Sequence, residues 1–165
     1  GVCISGGEPT LMPDLVEKIK AIKELGFAIK LDTNGYRPDV LEKLIDLKLI
    51  DYVAMDVKNC FEKYELTTGL VNINTDKILK SINLLKEGRV DYEFRTTVVK
   101  DYHEIADFHK IGEMIKNAKR YFIQSYKYQD SVRIKTLSAM TKEELQMCLD
   151  IVKEYVENSS LREID

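Results

Sequence analysis

Ser5-Gly6-Gly7-Glu8-Pro9-Thr10 is the segment of this chain whose residue types most directly suggest ligand chemistry. Two adjacent glycines let a backbone approach a ligand closely and leave N–H and C=O groups free. Glu8 places an anion beside them, and Pro9 stiffens the exit. Such an arrangement suits a zwitterionic amino-acid head group, with carbonyls for its ammonium and N–H groups for its carboxylate. A simple glycine-rich turn before a helix is the alternative interpretation.

Four further polar segments end or interrupt predicted strands: Asp32-Thr33-Asn34-Gly35, Met55-Asp56-Val57-Lys58, Glu93 with Arg95, and Gln124-Ser125-Tyr126-Lys127. Chemistry in (βα) barrels gathers at the carboxyl ends of the strands, and burying charges without partners is costly. We therefore expect these groups to meet at one rim and bind a ligand. A tight turn at Asn34-Gly35, an ordinary Asp56–Lys58 ion pair and a structural Glu93–Arg95 pair remain as alternatives.

The elements that must position these residues alternate regularly between strand and helix. The apolar pattern predicts strands over 2–4, 27–31, 52–57, 91–99 and 121–125, helices over 14–25, 39–47, 75–85, 103–115 and 141–156, and a short last strand over 161–164. Five successive strand–helix units predict an α/β fold with a parallel sheet, forming a single domain over residues 1–165. Two long loops, 59–74 and 126–140, are expected to carry function. A partial (βα) barrel fits better than a nucleotide-binding open sheet, because neither phosphate-loop signature is present.

Composition narrows the function classes. The 165 residues are 44% hydrophobic and 32% charged, with a net charge of -3, which is globular and not generally basic. We expect no nucleic-acid partner, no membrane span and a cytoplasmic location. Cys3, Cys60 and Cys148 are too far apart for a cysteine-rich metal site or a disulfide framework, and mostly buried, reduced thiols are expected. His103 and His109 are predicted to lie on a helix surface.

Taken in order, Ser5-Gly6-Gly7-Glu8-Pro9-Thr10, Leu31-Asp32-Thr33-Asn34-Gly35, Met55-Asp56-Val57-Lys58 and Phe94-Arg95-Thr96-Thr97-Val98-Val99 resemble segments of the radical S-adenosylmethionine superfamily. The resemblance is strongest to the activating proteins of anaerobic ribonucleoside-triphosphate reductase and pyruvate formate-lyase, and it extends to about Lys127. It implies a partial (βα)6 barrel. It also implies a [4Fe–4S] cluster on a CxxxCxxC loop, which helps cleave S-adenosylmethionine to a radical that takes hydrogen from a glycine Cα of a partner enzyme.

The resemblance also implies roles for individual residues. Gly6, Gly7 and Glu8 would hold the methionyl amino group, and Lys58 and Arg95 would contact the carboxylate or ribose. Asp32, Thr33 and Asp56 would surround a monovalent cation and the cofactor carboxylate, while Gln124 or Lys127 would line the adenosine. The full set of implied cofactor-binding residues is Gly6, Gly7, Glu8, Asp32, Asn34, Asp56, Val57, Lys58, Arg95, Gln124 and Lys127.

The chain departs from the family pattern because it contains no CxxxCxxC motif. We therefore expect a fragment of an activase, with about five βα units present and the first unit with its cluster loop absent. No catalytic residue is expected in this chain, which alone would be inactive. The parent would use an electron donor and activate a glycyl radical enzyme, with anaerobic ribonucleotide reductase the leading candidate. A radical enzyme for another peptide or small molecule, and a noncatalytic scaffold, remain alternatives. The Val2–Ile4 edge is expected to self-associate.

Overall fold

A computed structural model of the chain describes residues 1–127 and 136–162. Six strands form one sheet in the order β1-β2-β3-β4-β5-β6. The registered pairs β1–β2, β2–β3, β4–β5 and β5–β6 are all parallel. The predicted α/β architecture is therefore confirmed. The strands are β1 Val2–Ile4, β2 Ile29–Thr33, β3 Tyr52–Asp56, β4 Asp91–Val98, β5 Tyr121–Ser125 and β6 Ser159–Arg162.

Six helices accompany the strands in the part of the chain that the structure describes, and local sequence explains where several of them begin. Pro38 occupies the first turn of α2, where its missing N–H costs nothing. Thr141 and Glu144 form a capping box at the start of α6, each side chain accepting a hydrogen bond from the other residue's backbone N–H. The helices are α1 Leu15–Glu24, α2 Pro38–Asp46, α3 Tyr64–Thr68, α4 Thr75–Lys86, α5 Asp107–Met114 and α6 Lys142–Lys153, with short 3-10 turns at Pro9–Leu11 and Phe61–Lys63.

The residues fall into two compact units. Unit 1 comprises Gly1–Asp56 and Asn74–Glu93, and unit 2 comprises Val57–Ile73 and Phe94–Asp165. The core of unit 1 includes Leu31, Leu44, Val53 and Ile82, none of which has measurable exposure. Helices α2 and α4 contact each other within this unit. The single-domain organisation of residues 1–165 stays a prediction.

Unit 2 is built around β5, which is paired with both β4 and β6. Helix α6 packs against α5 and β6, and buries the apolar stripe that its sequence predicted. Phe108 and Ile111 from α5 and Val152 from α6 are fully buried in this core. The sheet and its helices therefore hold the carboxyl ends of β4 and β5 in fixed register.

Several predicted boundaries differ from the structure. The second strand covers Ile29–Thr33 rather than 27–31, because the Asp51 carboxylate accepts a hydrogen bond from the Ile29 N–H (2.6 Å) and Phe27 stays exposed. The loop predicted over 59–74 contains α3, and α5 begins at Asp107 rather than 103. The last strand is Ser159–Arg162, so part of the predicted 161–164 strand lies outside the described residues, as do residues 128–135 of the predicted loop 126–140.

Candidate functional site

The turn after β1 presents its backbone to open space. Gly6 has φ +97° and Gly7 φ +52°, and a Cβ built at either residue would meet no heavy atom within 4 Å. Both residues are exposed. Glycine is required here by the left-handed backbone conformation and not by crowding. The predicted property of this segment, an approachable backbone, is therefore found at both glycines.

Glu8 anchors this turn to the end of β2. Its Oε1 accepts hydrogen bonds from the Thr10 N–H (3.1 Å), the Thr10 hydroxyl (2.5 Å) and the Thr33 hydroxyl (2.8 Å). Its Oε2 accepts from the Asn34 N–H (2.6 Å). All four partners are donors, so an ionised carboxylate is the side chain that suits them best. The first role of the Glu8 side chain is thus to fix the Gly6-Gly7 turn relative to β2.

Asn34-Gly35 joins β2 to α2, so this pair is a βα loop and not a hairpin turn. The Asn34 side chain accepts a hydrogen bond from the Tyr36 N–H (2.9 Å), and the Gly35 N–H donates to the Thr33 hydroxyl (3.1 Å). Ser81 of α4 donates to the Gly35 carbonyl (2.7 Å). A Cβ on Gly35 would overlap the Met55 side chain. The left-handed backbone, with φ +73°, and this close approach together explain the glycine.

Asp32 and Asp56 lie on the same face of unit 1. Asp32 is paired with Ala54, and Asp56 lies two residues beyond Ala54, which places it on the face of β3 that continues the Asp32 side. Lys30 Nζ lies 3.1 Å from Asp32 Oδ1, and the Cys3 thiol donates to the same oxygen at 3.7 Å. This face therefore carries the charged groups that the sequence placed at the strand ends.

The same unit contains a buried polar pair that the sequence did not reveal. The Tyr52 hydroxyl donates to Glu93 Oε2 at 2.7 Å, and Glu93 is only 4% exposed. A buried carboxylate needs such a donor to offset its lost hydration. The alternating polar residues Glu93 and Arg95 in an apolar strand were the signal, but their partners were not predictable from spacing.

The chain that leaves β3 is held by its backbone in unit 2. The Val57 N–H donates to the Arg95 carbonyl (2.9 Å), and the Val57 carbonyl accepts from the Thr96 hydroxyl (2.7 Å). The Lys58 N–H donates to the Tyr64 hydroxyl oxygen (3.2 Å), and the Lys58 carbonyl lies 2.8 Å from His103 Nε2. The backbone around Lys58 is thus fixed on both sides.

Asn59 extends this anchoring into the loop. Its side-chain amide donates to the Thr67 hydroxyl and to the Tyr102 carbonyl, both at 2.9 Å, and its oxygen accepts from the Cys60 N–H at 2.7 Å. Asn59 is 0% exposed, so all three bonds form out of contact with water. No sequence motif predicted a role for this residue. An amide directly after a strand that ends in charged residues was the only available signal.

A buried carboxylate supports the neighbouring turn. Asp107 Oδ2 accepts from Lys63 Nζ (2.8 Å) and from the Glu104 N–H (2.8 Å), and its Oδ1 lies 3.8 Å from the Cys60 thiol. The hydrogen bond to the Asp107 carboxylate, followed by the nearby Glu104 carboxylate, raises the pKa of Lys63 above its ordinary value. Burial raises the pKa of Cys60, so its thiol stays protonated at neutral pH. This cluster is structural: it closes the loop that carries Asn59.

His103 was predicted to lie on a helix surface, and this prediction is wrong. It is 2% exposed and precedes α5, with Nδ1 3.2 Å from the Val99 N–H and Nε2 facing the Lys58 carbonyl. Burial lowers the pKa of His103 below its ordinary value, so the ring is neutral at neutral pH. His109 is exposed, as predicted. The ring is buried because it supplies the hydrogen-bond donor for the Lys58 carbonyl, which lies 45 residues away in sequence.

Three predicted site residues of unit 2 lie in β4, in β5 and just after β5. Arg95 is paired with Phe122, and Gln124 lies two residues beyond Phe122, so Arg95 and Gln124 belong to the same sheet face. Both are half-buried. Lys127 follows β5 and is exposed. The structure therefore puts Arg95 and Gln124 on one face.

The structure places two of the three residues predicted to hold a monovalent cation, Asp32 and Thr33, on opposite faces of β2. Burial alternates along β2, which puts the side chains of Asp32 and Thr33 on opposite faces, and the Thr33 hydroxyl donates to Glu8. In residues 1–127 and 136–162, no cluster of three or more His, Cys, Asp or Glu residues could hold a metal ion. Cys60 and Cys148 are buried as expected, whereas Cys3 is exposed. These three thiols do not fit an iron–sulfur cluster.

Within the described parts of the chain, no helix is both long and apolar enough to cross a membrane.

The chain matches the Radical SAM superfamily model over residues 1–122. A Methanocaldococcus jannaschii protein named "Putative glycyl-radical enzyme activating enzyme" is 40% identical over 173 residues, covering 99% of this chain and 71% of that protein. The S-adenosyl-L-methionine-dependent tRNA 4-demethylwyosine synthase of the same organism is 31% identical over 163 residues, covering 96% of this chain. This chain spans only 50% of that second relative.

A solved structure shares the fold. A domain of pyruvate-formate lyase-activating enzyme from Bacteroides vulgatus superposes with a TM-score of 0.78 at 18% identity, covering 98% of each chain. At this identity the likeness concerns the fold alone, and it agrees with the predicted partial barrel. The match over residues 1–122 and the 40% identical relative together identify the family. The chain belongs to the radical SAM superfamily.

Proposed function

We propose that this chain is the S-adenosylmethionine-binding part of an activating enzyme that installs a glycyl radical on a partner protein. The relative that is 40% identical over 99% of this chain supports the activase assignment. Because the chain spans 71% of that relative and 50% of the next, the activity proposed is that of the whole natural protein that carries this sequence.

The observation that carries the proposal is the exposed Gly6-Gly7 backbone, anchored through Glu8. Open space surrounds both glycines, and four donors hold the Glu8 carboxylate in place. A turn that is both open and fixed is pre-organised to bind a polar head group without further ordering. In this proposal the turn binds the methionyl amino group of S-adenosylmethionine through backbone carbonyls, while Glu8 positions the turn.

The remaining predicted residues supply charge and shape. The Asp32 and Asp56 carboxylates favour a positively charged ligand, consistent with a sulfonium and an ammonium. Lys58 and Arg95 are proposed to contact the carboxylate or ribose. A monovalent cation held by Asp32, Thr33 and Asp56 stays a prediction, as do contacts from Asn34, Val57, Gln124 and Lys127.

S-adenosylmethionine, when bound with a reduced [4Fe–4S] cluster, supplies the radical chemistry of this superfamily. The cysteines of this chain do not fit that cluster, so we assign no step to it here. The chain's own residues bind the cofactor, orient it and exclude water. The whole enzyme would also need an electron donor. Anaerobic ribonucleotide reductase is the partner that the motif pattern favours.

Calorimetry with S-adenosylmethionine tests the binding proposal on the chain itself. We expect weak but measurable affinity, reduced in Asp56→Ala and in Lys58→Ala. Lys43→Ala, at an exposed position of α2, is the matched control and should bind like the unmodified chain. Equal affinity in the unmodified chain and both site variants would exclude Asp56 and Lys58 from the site.

Paramagnetic resonance tests the activase proposal. The natural protein that carries this sequence, reconstituted anaerobically, should produce a glycyl radical doublet on anaerobic ribonucleotide reductase in the presence of S-adenosylmethionine and a reductant. The isolated chain should form no stable cluster after iron–sulfide treatment and should release no 5′-deoxyadenosine. A brown, stable cluster with cofactor cleavage would contradict the expectation that the chain alone is inactive.

A second candidate is a radical enzyme that modifies another substrate, such as a tRNA base. The observation in its favour is the 31% identity to a tRNA 4-demethylwyosine synthase over 96% of this chain. Turnover of a tRNA substrate without a glycyl radical on the reductase would select this candidate. A noncatalytic scaffold, in turn, predicts cofactor binding without cleavage in the whole natural protein.

A further inference from the structure

Lys58 is held by two buried side chains, one six residues away in sequence and the other 45 residues away. Tyr64, 1% exposed, accepts the Lys58 N–H at 3.2 Å, and His103, 2% exposed, lies 2.8 Å from the Lys58 carbonyl. The Lys58 side chain itself is only half-buried. Both polar groups of its backbone are therefore bonded to buried side chains, whereas the residue itself keeps some exposure.

The neighbours of His103 select one protonation form. Nε2 must donate to satisfy the Lys58 carbonyl, and Nδ1 must accept to satisfy the Val99 N–H at 3.2 Å. Only the neutral ring with its proton on Nε2 meets both requirements. The opposite tautomer would direct a lone pair at the Lys58 carbonyl and leave the Val99 N–H without its acceptor. Its Nδ1–H would face the Val99 carbonyl at 3.1 Å, but that oxygen already accepts the N–H groups of Tyr102 and His103 at 3.0 Å each. Lys63 and Asp107 are the charged side chains that act on the ring from the packed elements.

We propose that His103, protonated on Nε2, is a positioning residue for the cofactor: it fixes the Lys58 carbonyl and thereby the direction in which the Lys58 side chain extends. The inference rests on the proposed function, in which Lys58 contacts S-adenosylmethionine. A buried ring that made no hydrogen bond to the Lys58 carbonyl could be replaced by an apolar side chain of similar size. In this chain the replacement has a cost, because it would remove the donor that His103 presents to the Lys58 carbonyl.

Nitrogen-15 NMR spectroscopy of the chain tests directly which ring nitrogen of His103 carries the proton. Long-range proton–nitrogen correlations distinguish a protonated from an unprotonated ring nitrogen, and the spectrum at pH 7.5 should show the proton on Nε2 of His103. His109, exposed beside Tyr155, serves as an internal reference with a mixture of tautomers. A proton on Nδ1 of His103 would overturn the inference, whether or not the cofactor binds.

A double-mutant cycle tests whether His103 acts through Lys58. His103→Leu should weaken S-adenosylmethionine binding about tenfold, the effect of losing one buried hydrogen-bond partner. In a Lys58→Ala background the same change should have little further effect, because the side chain that it positions is gone. His109→Leu is the control and should leave the affinity unchanged. Fully additive losses would show that His103 acts on the fold alone and would overturn the inference.

Two amide variants keep the test decisive if His103→Leu does not fold. The Gln amide reaches the position of Nε2, and the shorter Asn amide reaches that of Nδ1. His103→Gln should therefore retain more affinity than His103→Asn, and the reverse order would overturn the inference. An unmodified chain that fails to bind the cofactor would instead refute the proposed function. Normal binding by both the unmodified chain and His103→Leu would refute only the role of His103.

Discussion

The turn after β1 and the exit from β3 are both fixed by hydrogen bonds, but the two anchors differ in charge. At the turn, one carboxylate, Glu8, accepts four hydrogen bonds from Thr10, Thr33 and Asn34. At the exit, neutral side chains of Asn59 and His103 both accept and donate. Glu8 is half-buried, whereas Asn59 has no exposed surface.

The difference follows from what each backbone segment needs. Around Glu8 every partner is a donor, so a charged acceptor satisfies them all, and partial exposure limits its desolvation cost. Around Asn59 the partners are the Cys60 N–H, the Tyr102 carbonyl and the Thr67 hydroxyl, and only an amide has both donors and an acceptor. Side chains of nearly equal size are therefore not interchangeable between the two anchors. Isosteric exchanges test this comparison.

Asn59→Asp should have the largest effect. The new carboxylate would face the Tyr102 carbonyl in place of the amide donor, in a site that excludes water. We expect a loss of about 3–5 kcal/mol in the free energy of unfolding at pH 8, or no folded protein. Urea denaturation measures it, with Asn83→Asp on exposed α4 as the control. A loss comparable to that of the control would mean that the neutral anchor tolerates charge.

Glu8→Gln is the reverse exchange. Whichever way the Gln amide turns, its NH2 group faces a backbone N–H, either that of Asn34 or that of Thr10. The expected loss is about 2–3 kcal/mol, since hydrogen bonds to a charged acceptor are replaced and one donor is left without a partner. Glu17→Gln, in the exposed first turn of α1, is the matched control for urea denaturation. A neutral outcome for Glu8→Gln would remove the distinction between the charged and the neutral anchor.

Alanine at the two glycines of the turn separates anchoring from backbone strain. Both glycines have positive φ and open surroundings, so only the backbone conformation opposes a side chain. Gly6→Ala should cost about 1–2 kcal/mol in unfolding free energy. Gly7→Ala should cost less, because its φ of +52° lies near the left-handed minimum. Thermal denaturation with Ser5→Ala as the control decides the order; a larger loss for Gly7→Ala would contradict the backbone argument.

The smallest expected effect concerns pH and belongs to the β3 exit alone. The pKa of His103 is lowered from its ordinary 6.5 in the folded chain, chiefly by burial. Below pH 6.5 the unfolded chain therefore binds a proton that the folded chain does not, so stability falls as pH falls toward the folded pKa. Above pH 6.5 this contribution is constant.

Urea denaturation between pH 7.5 and pH 5.5 measures this dependence. His103→Gln should remove most of the drop, whereas His109→Gln should leave it in place because that ring is exposed. A drop that survives in His103→Gln would have to come from other groups. It would also show that the buried ring does not couple the β3 exit to pH.

The sequence by itself determined the order of elements and the family. The alternation of apolar runs predicted every strand and the five longer helices, and the Thr141–Glu144 capping box marked the start of α6. The segment around Gly6-Gly7 and the strand-end charges carried the resemblance that the 40% identical relative supports. These features are local in sequence, so periodicity and residue type suffice to read them.

Only the tertiary structure decided which polar groups satisfy one another. Glu8 reaches Thr33 and Asn34 across 25 and 26 residues, and His103 reaches Lys58 across 45. The surface position predicted for His103 was wrong because its ring bonds the Lys58 carbonyl, which is distant in sequence. The predicted start of β2 was also wrong for this reason, because the Ile29 N–H donates to Asp51, which lies 22 residues away in sequence. Spacing along the chain cannot predict such pairs, because they form only when the fold brings distant strand ends and loops together.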